Sequence, residues 1–212
     1  THWTTFGQTI IMILIEIGAL GFMSFSVLLF TATRRQMDLR SKMMVQEVYN
    51  LQSLYDTRAV FGYVIKLSIA IQLIGTILLA PFFIHDFGWG RGAFYAIFHA
   101  ISAFGNSGFS ILPKNTAEYV NQPFVLAIIA ALVIAGSLGF LVWRDVLLYQ
   151  KTHRLTLHSK LALVMTGVLI IGGWLLFELT ERNLAFASGL SPVMRVFDTL
   201  FMSISYRTAG FT

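Results

Sequence analysis

The chain is 212 residues long, 56% hydrophobic and 12% charged, with a formal net charge of +5. A soluble domain carries about 25% charged residues, so too few are present to cover a water-facing surface, and the long apolar runs predict an all-α integral membrane protein. There is no cysteine, which excludes disulfides, Cys–zinc sites and thiol chemistry; the Lys and Arg residues fall between the apolar runs, where they report topology rather than nucleic-acid binding.

Taken in order, Phe6 to Phe30 is a first span of roughly the 20 or more residues that a bilayer crossing needs, with Glu16 as its one internal charge. A polar connection, Thr31 to Gly62, carries Arg34, Arg35, Arg40, Lys42 and Arg58. Tyr63 to Ile84 is a second span, expected to close at Pro81 and His85-Asp86. Gly90 to Phe104 is apolar and aromatic but too short to cross, which predicts a re-entrant half-helix. The loop Gly105 to Gln122 follows, then a third span, Phe124 to Tyr149. A second basic connection holds Arg144, Lys151, Arg154 and Lys160. Leu161 to Phe177 is a fourth span, and Ser191-Pro192 opens a second short helix to Tyr206, with serine as N-cap and proline at the first helical position.

Two internal repeats organise these elements. Ala103-Phe-Gly-Asn-Ser-Gly-Phe-Ser110 returns as Ser205-Tyr-Arg-Thr-Ala-Gly-Phe-Thr212, and setting Gly108 on Gly210 pairs Phe104 with Tyr206 and Phe109 with Phe211. Gly18-Ala-Leu-Gly-Phe22 in the first span matches Gly136-Ser-Leu-Gly-Phe140 in the third, 118 residues on. The pattern is a repeated unit of outer helix, pore half-helix with loop, and inner helix, as in a potassium channel. The chain divides into 1–57 (inner helix of a first unit and a cytoplasmic connection), 58–150 (a complete second unit) and 151–212 (connection, outer helix and pore loop of a third). Because it opens on Thr1 and stops at a loop, it is expected to be truncated at both ends. The positive-inside rule places both basic connections in the cytoplasm and both loops outside.

These loops suit cation passage. A potassium ion exchanges its hydration shell for rings of backbone carbonyls, and aiming consecutive carbonyls at one axis needs backbone angles that glycine tolerates. Small neighbours, Ser107 and Ala209, allow close approach, while Phe109 and Phe211 are expected to wedge the loops against surrounding helices. The partly negative C-terminal end of each half-helix favours a cation. Neither loop motif contains a carboxylate, which argues against a calcium-type site.

The two loop motifs resemble the second and third filters of the Trk/Ktr/HKT potassium transporters, and the whole chain resembles the middle of the Ktr membrane subunits. The resemblance implies four such units around one pore, with potassium bound by the backbone carbonyls of Asn106, Ser107 and Gly108 and of Thr208, Ala209 and Gly210. It also implies a multi-pass subunit of the bacterial plasma membrane, homodimeric, docked on a cytosolic KtrA-like ring that binds ATP or ADP and gates uptake. No covalently bound cofactor is implied; potassium is the substrate, sodium often stimulates, and nucleotide acts only through the partner ring. The first and fourth filters and the family's gating loop fall outside this chain.

Several polar residues have a structural reading beside the functional one. The position equivalent to Glu16 in the repeat is Ile134, so Glu16 belongs to no symmetric ion ring, and pairing or facing water is as good an account as an ion site. His99 and Asp198, within the half-helices, either brace loop backbone or are satisfied buried groups. Arg207, a cation beside a cation path, is expected to point away and brace loop carbonyls. The glycines at 18, 21, 136 and 139 fit close helix packing, with a hinge as the other possibility. His2, His85, His99, His153 and His158 lack metal-ligand spacing, and there is no phosphate loop or nucleophile elbow, so no enzyme is expected. The competing readings are a sodium-permeable or sodium–potassium cotransporting relative, a secondary transporter with broken helices, and a membrane scaffold.

Overall fold

The computed structural model describes residues 3–19, 57–112, 115–139, 142–143, 145–147, 149, 153, 155–180 and 192–211. Among them the chain is helical, without strands: α1 (Thr5–Ala19), α2 (Thr57–Phe87), α3 (Trp89–Phe104), a short 3-10 turn (Asn115–Tyr119), α4 (Pro123–Leu138), α5 (Leu157–Thr180) and α6 (Pro192–Thr208). Within α2, Gly62–Phe87 is long and apolar enough to cross a membrane, and so is α5. The second half of the first span, the basic residues Arg34, Arg35, Arg40, Lys42, Arg144, Lys151 and Arg154, and Gly21 lie outside the described residues.

Two expectations are corrected. Pro81 was expected to close the second span, but it lies inside α2, which continues to Phe87. Proline removes one bond, to the Ile77 carbonyl, and clashes locally, and so close to the helix end the remaining turns continue. The third span, Phe124 to Tyr149, is not one helix. It stops at Gly139, whose backbone turns to φ +74°, and helix resumes at residues 142–143, 145–147 and 149. Side chains hold this interruption. Ser137 Oγ donates to the Ile134 carbonyl (2.9 Å), and the Trp143 indole N–H reaches back across the break to the Ala135 carbonyl (2.9 Å).

The helices pack as two hairpins around α4. The α2–α3 turn is made by Gly88 at φ +78°, with the Gly88 N–H on the Ile84 carbonyl (2.9 Å) and the Gly92 N–H on the Gly88 carbonyl (2.8 Å). Gly92, Ala96, Ala100 and Ala103 then form a small-residue stripe, one per turn, and all four are buried. The second hairpin, α5–α6, is tied by polar bonds instead. Trp174 Nε1 donates to Thr199 Oγ1 (3.2 Å), Ser203 Oγ to the Ile170 carbonyl (2.8 Å), and Arg195 Nη2 to Glu178 Oε1 (2.6 Å).

One apolar cluster joins the pieces. It runs from Leu79 and Phe83 of α2 through Ala100 of α3 and Ile129 of α4 to Phe201, Ile204, Ala209 and Phe211 at the end of the chain. The first helix lies against this body through Ile15, which packs with Phe98 and Ile111. Its Glu16 accepts a hydrogen bond from Gln72 Nε2 of α2 (2.8 Å), the pairing role among its two structural readings.

The α2–α3 contact sets a first prediction. A Cβ at Gly92 would meet the Phe83 carbonyl oxygen and lie 2.5 Å from Ile84 Cα, and these backbone atoms cannot swing aside. Gly92→Ala is expected to destabilise the hairpin by about 1–3 kcal/mol, the usual cost of overpacking. A clearly lower melting temperature of the detergent-solubilised protein is the expected readout, and an unchanged one would mean that the two helices separate freely.

Candidate ion-pathway loops

The last turns of α3 and α6 deliver two loops to the same place. At Gly108 and Gly210 the backbone takes φ +68° and +74°, the left-handed region in which a side chain is strained and glycine is not. Asn106 also has a positive φ, +52°, as asparagine tolerates. A Cβ at Gly108 would collide with the Ala209 carbonyl oxygen of the other loop, so glycine is required there both by conformation and by space. The loops are joined a second time where Thr208 Oγ1 donates to Asn106 Oδ1 (2.9 Å), across 102 residues of sequence.

Each loop is also tied to its own half-helix. The Ser107 N–H closes on the Ser102 carbonyl (3.0 Å), and the Gly210 N–H on the Ser205 carbonyl (2.7 Å), both spanning five residues. Ser102 Oγ donates to the Phe109 carbonyl and Ser205 Oγ to the Phe211 carbonyl, each at 2.6 Å. Sequence reasoning missed these serines. Aligning the glycines sets Ser102 opposite Ile204, whereas the hydrogen bonds make Ser102 the counterpart of Ser205 and leave the first loop one residue longer. The repeated dipeptide Ile101-Ser102 and Ile204-Ser205 carried that signal.

The supporting residues divide. Phe211 is fully buried in the shared core, where a wedge belongs. Phe109 is 54% exposed, so it makes no such wedge with the described residues. Arg207 does point away from the loops, but its Nη2 donates to Thr166 Oγ1 of α5 (3.0 Å) rather than to loop carbonyls. His99 is fully buried, with Nδ1 2.8 Å from the Tyr95 carbonyl and Nε2 3.0 Å from Ser110 Oγ. A carbonyl only accepts, so Nδ1 carries the proton and neutral Nε2 accepts from Ser110; Ser110 Oγ in turn accepts the Leu112 N–H (3.2 Å). His99 therefore supports the outgoing strand of the first loop through a side chain. Asp198 is buried midway along α6, and no bond from it to either loop is found among the described residues. Gly136 of α4 lies under the first loop, where a Cβ would strike the Phe104 carbonyl oxygen and approach Asn106 Nδ2 at 2.8 Å. Packing is its role, whereas Gly139 interrupts the helix and a Cβ added at Gly18 would meet nothing within 4 Å.

Beside this geometry, comparison with known proteins shows the family. The TrkH family model, described as a cation transport protein, matches residues 1–212. The chain belongs to the TrkH family. It is 41% identical over 215 residues to the potassium/sodium uptake protein NtpJ of Enterococcus hirae, covering 99% of this chain and 47% of that protein. It is 37% identical over 214 residues to the Ktr system potassium uptake protein B of Bacillus subtilis, covering 100% and 48%, and 33% identical over 213 residues to that of Vibrio alginolyticus, covering 99% and 47%. The chain thus spans about half the length of the curated relatives it matches. These relatives are named as uptake proteins, and two helices of this chain, within α2 and α5, are long and apolar enough to cross a membrane.

The Arg207–Thr166 contact sets a second prediction. In a double-mutant cycle with Arg207→Met and Thr166→Val, the two changes are expected to couple by about 1.5–3 kcal/mol, the net worth of one hydrogen bond to a charged group. Thermal unfolding in detergent measures it, and additive effects would show that α5 does not hold the arginine.

Proposed function

We propose that this chain supplies two of the selectivity-filter loops of a potassium uptake pathway in the plasma membrane of a bacterium. The observation that carries the reading is the meeting of two left-handed glycine turns, each after a half-helix, with Gly108 set against the Ala209 carbonyl. In this reading the carbonyls of Asn106, Ser107 and Gly108 and of Thr208, Ala209 and Gly210 line the ion path and replace the hydration shell of the ion. The hairpins α2–α3 and α5–α6 are outer helix and pore half-helix of successive units, residues 58–150 and 151–212, and α1 and α4 are inner helices of two units. A full pore takes two further filters from the rest of the polypeptide. Both loops face outside and the basic connections face the cytoplasm.

The relatives named for the Ktr system support a multi-component assembly, for which the family resemblance implies a homodimer of the membrane subunit on a nucleotide-binding, KtrA-like cytosolic ring. The relative named for potassium and sodium uptake favours one second reading, in which sodium also passes or is cotransported. Competition between the two ions for rubidium uptake separates these readings.

The test is potassium-limited growth and rubidium uptake in uptake-deficient bacteria that express the intact gene product, unmodified or with Gly108→Ala or Gly108→Asp. Alanine forces a strained backbone costing about 1–3 kcal/mol onto a neighbouring carbonyl, so rubidium uptake is expected to fall by roughly tenfold or more. Aspartate adds a fixed charge and is expected to abolish or de-tune transport. Normal uptake by both variants at matched expression would mean that ions do not pass this loop. An unmodified protein that inserts and moves no rubidium would end the potassium reading altogether.

A further inference from the structure

We propose that Ser102 and Ser205 are specificity-determining positioning residues, each turning the carbonyl that follows a filter glycine back toward its half-helix. The inference rests on the filter reading above and adds what ends the row of ion-facing carbonyls. Both serines lie in the last turns of their half-helices and are 0% exposed. A serine or threonine within a helix commonly bonds the carbonyl four residues back, as Thr76 does to Gln72 and Thr199 to Arg195 (2.8 and 2.9 Å). Ser102 and Ser205 instead reach forward, to Phe109 and Phe211.

The two loops differ by one residue between serine and phenylalanine, yet both arrive at the same 2.6 Å bond. The feature shared by the two loops is therefore the placement of the phenylalanine carbonyl. An oxygen that accepts a short bond from a buried hydroxyl of the helix behind it is directed away from the neighbouring loop. It is also partly committed, and so is a poor ligand for a passing ion. The run of ligands then stops at Gly108 in one loop and Gly210 in the other. Selectivity among alkali ions is sensitive to the size of the cage and to the number and field strength of its coordinating carbonyls. Without the hydroxyl, the Phe109 or Phe211 carbonyl loses this partner and is released to turn toward other ligands, the ion among them.

Ser203 provides the control. It is also buried on α6, and its hydroxyl also donates to a backbone carbonyl, that of Ile170 on α5, at 2.8 Å, but it does not touch a loop carbonyl. The experiment expresses the intact gene product in uptake-deficient bacteria and measures the rubidium-over-sodium uptake ratio for Ser102→Ala, Ser205→Ala and Ser203→Ala. The two loop-facing variants are expected to lose roughly two- to tenfold in that ratio, the range that one net hydrogen bond spans, whereas Ser203→Ala keeps the wild-type ratio even where its expression falls. Unchanged ratios in Ser102→Ala and Ser205→Ala would overturn the proposal. So would an equal shift in Ser203→Ala, which marks general loosening, or failure of both loop variants to insert, which makes the serines folding residues. Gly108→Asp in the same strains separates the two levels. If it transports normally the filter reading fails, and if it is dead while the serine variants keep the wild-type ratio, only this inference fails.

Discussion

A backbone that leaves its helix inside a bilayer has no water to satisfy its N–H and C=O groups, and the rest of this structure follows from how the two loops meet that requirement. Some groups are closed on the half-helix itself, as where the Ser107 and Gly210 N–H groups return to Ser102 and Ser205. Others are taken by buried hydroxyls, and the Ser110 hydroxyl is held by a buried histidine. On the filter reading proposed above, the carbonyls between these ties are the ones left to serve an ion, so that the filter is a remainder: the oxygens that the surrounding polar side chains leave alone.

The packing keeps that remainder in place. Ala209 and Phe211 share one apolar cluster with Leu79 and Phe83 of α2 and Ile129 of α4, so the second loop is seated on the helices that support the first. Gly136 lets α4 approach the Phe104 carbonyl at the end of α3, which sets the first loop on the same helix. The loops then touch at Gly108 and Ala209 and at Asn106 and Thr208. A change of volume in that shared apolar cluster is therefore felt at both loops, because close-packed interiors transmit displacement.

Much of this was legible in the sequence. The half-helix Gly90 to Phe104 was bounded to within one residue, since a short aromatic run between a span and a glycine-rich loop has few other folds in a membrane. Both left-handed glycines were marked by the repeat. Side-chain hydrogen bonding was not legible to the same degree. Ser102 and Ser205 were hidden by a one-residue difference in loop length, which an alignment anchored on glycine absorbs in the wrong place. Arg207 was expected on loop carbonyls and is on Thr166 instead, because a long cationic side chain reaches a neighbouring helix that sequence alone does not put there. Pro81 and Gly139 were misjudged for a common reason: composition reports whether a run is apolar but not where its ladder of hydrogen bonds is cut.

The paired glycines of α4 show why such cuts resist prediction. Gly136 and Gly139 are one turn apart in the same Gly-x-x-Gly motif and have the same intrinsic freedom, yet one packs in the helix and the other ends it. The difference lies in their surroundings. Gly136 is held in register by the Phe104 carbonyl against it, whereas a Cβ added at Gly139 would meet nothing within 4 Å, and Gly139 follows Ser137, whose hydroxyl is already on the Ile134 carbonyl. The Trp143 indole across the break completes the exchange of backbone bonds for side-chain bonds, which is how an interrupted helix is tolerated at membrane depth. Non-helical backbone at that depth must be buried in protein or line water, and Gly139 is exposed within this chain. On the ion-pathway reading proposed above, this interruption, one turn beyond Gly136 on the helix that supports the first loop, would line the same path, with α4 packed where it meets the loop and broken where it leaves it.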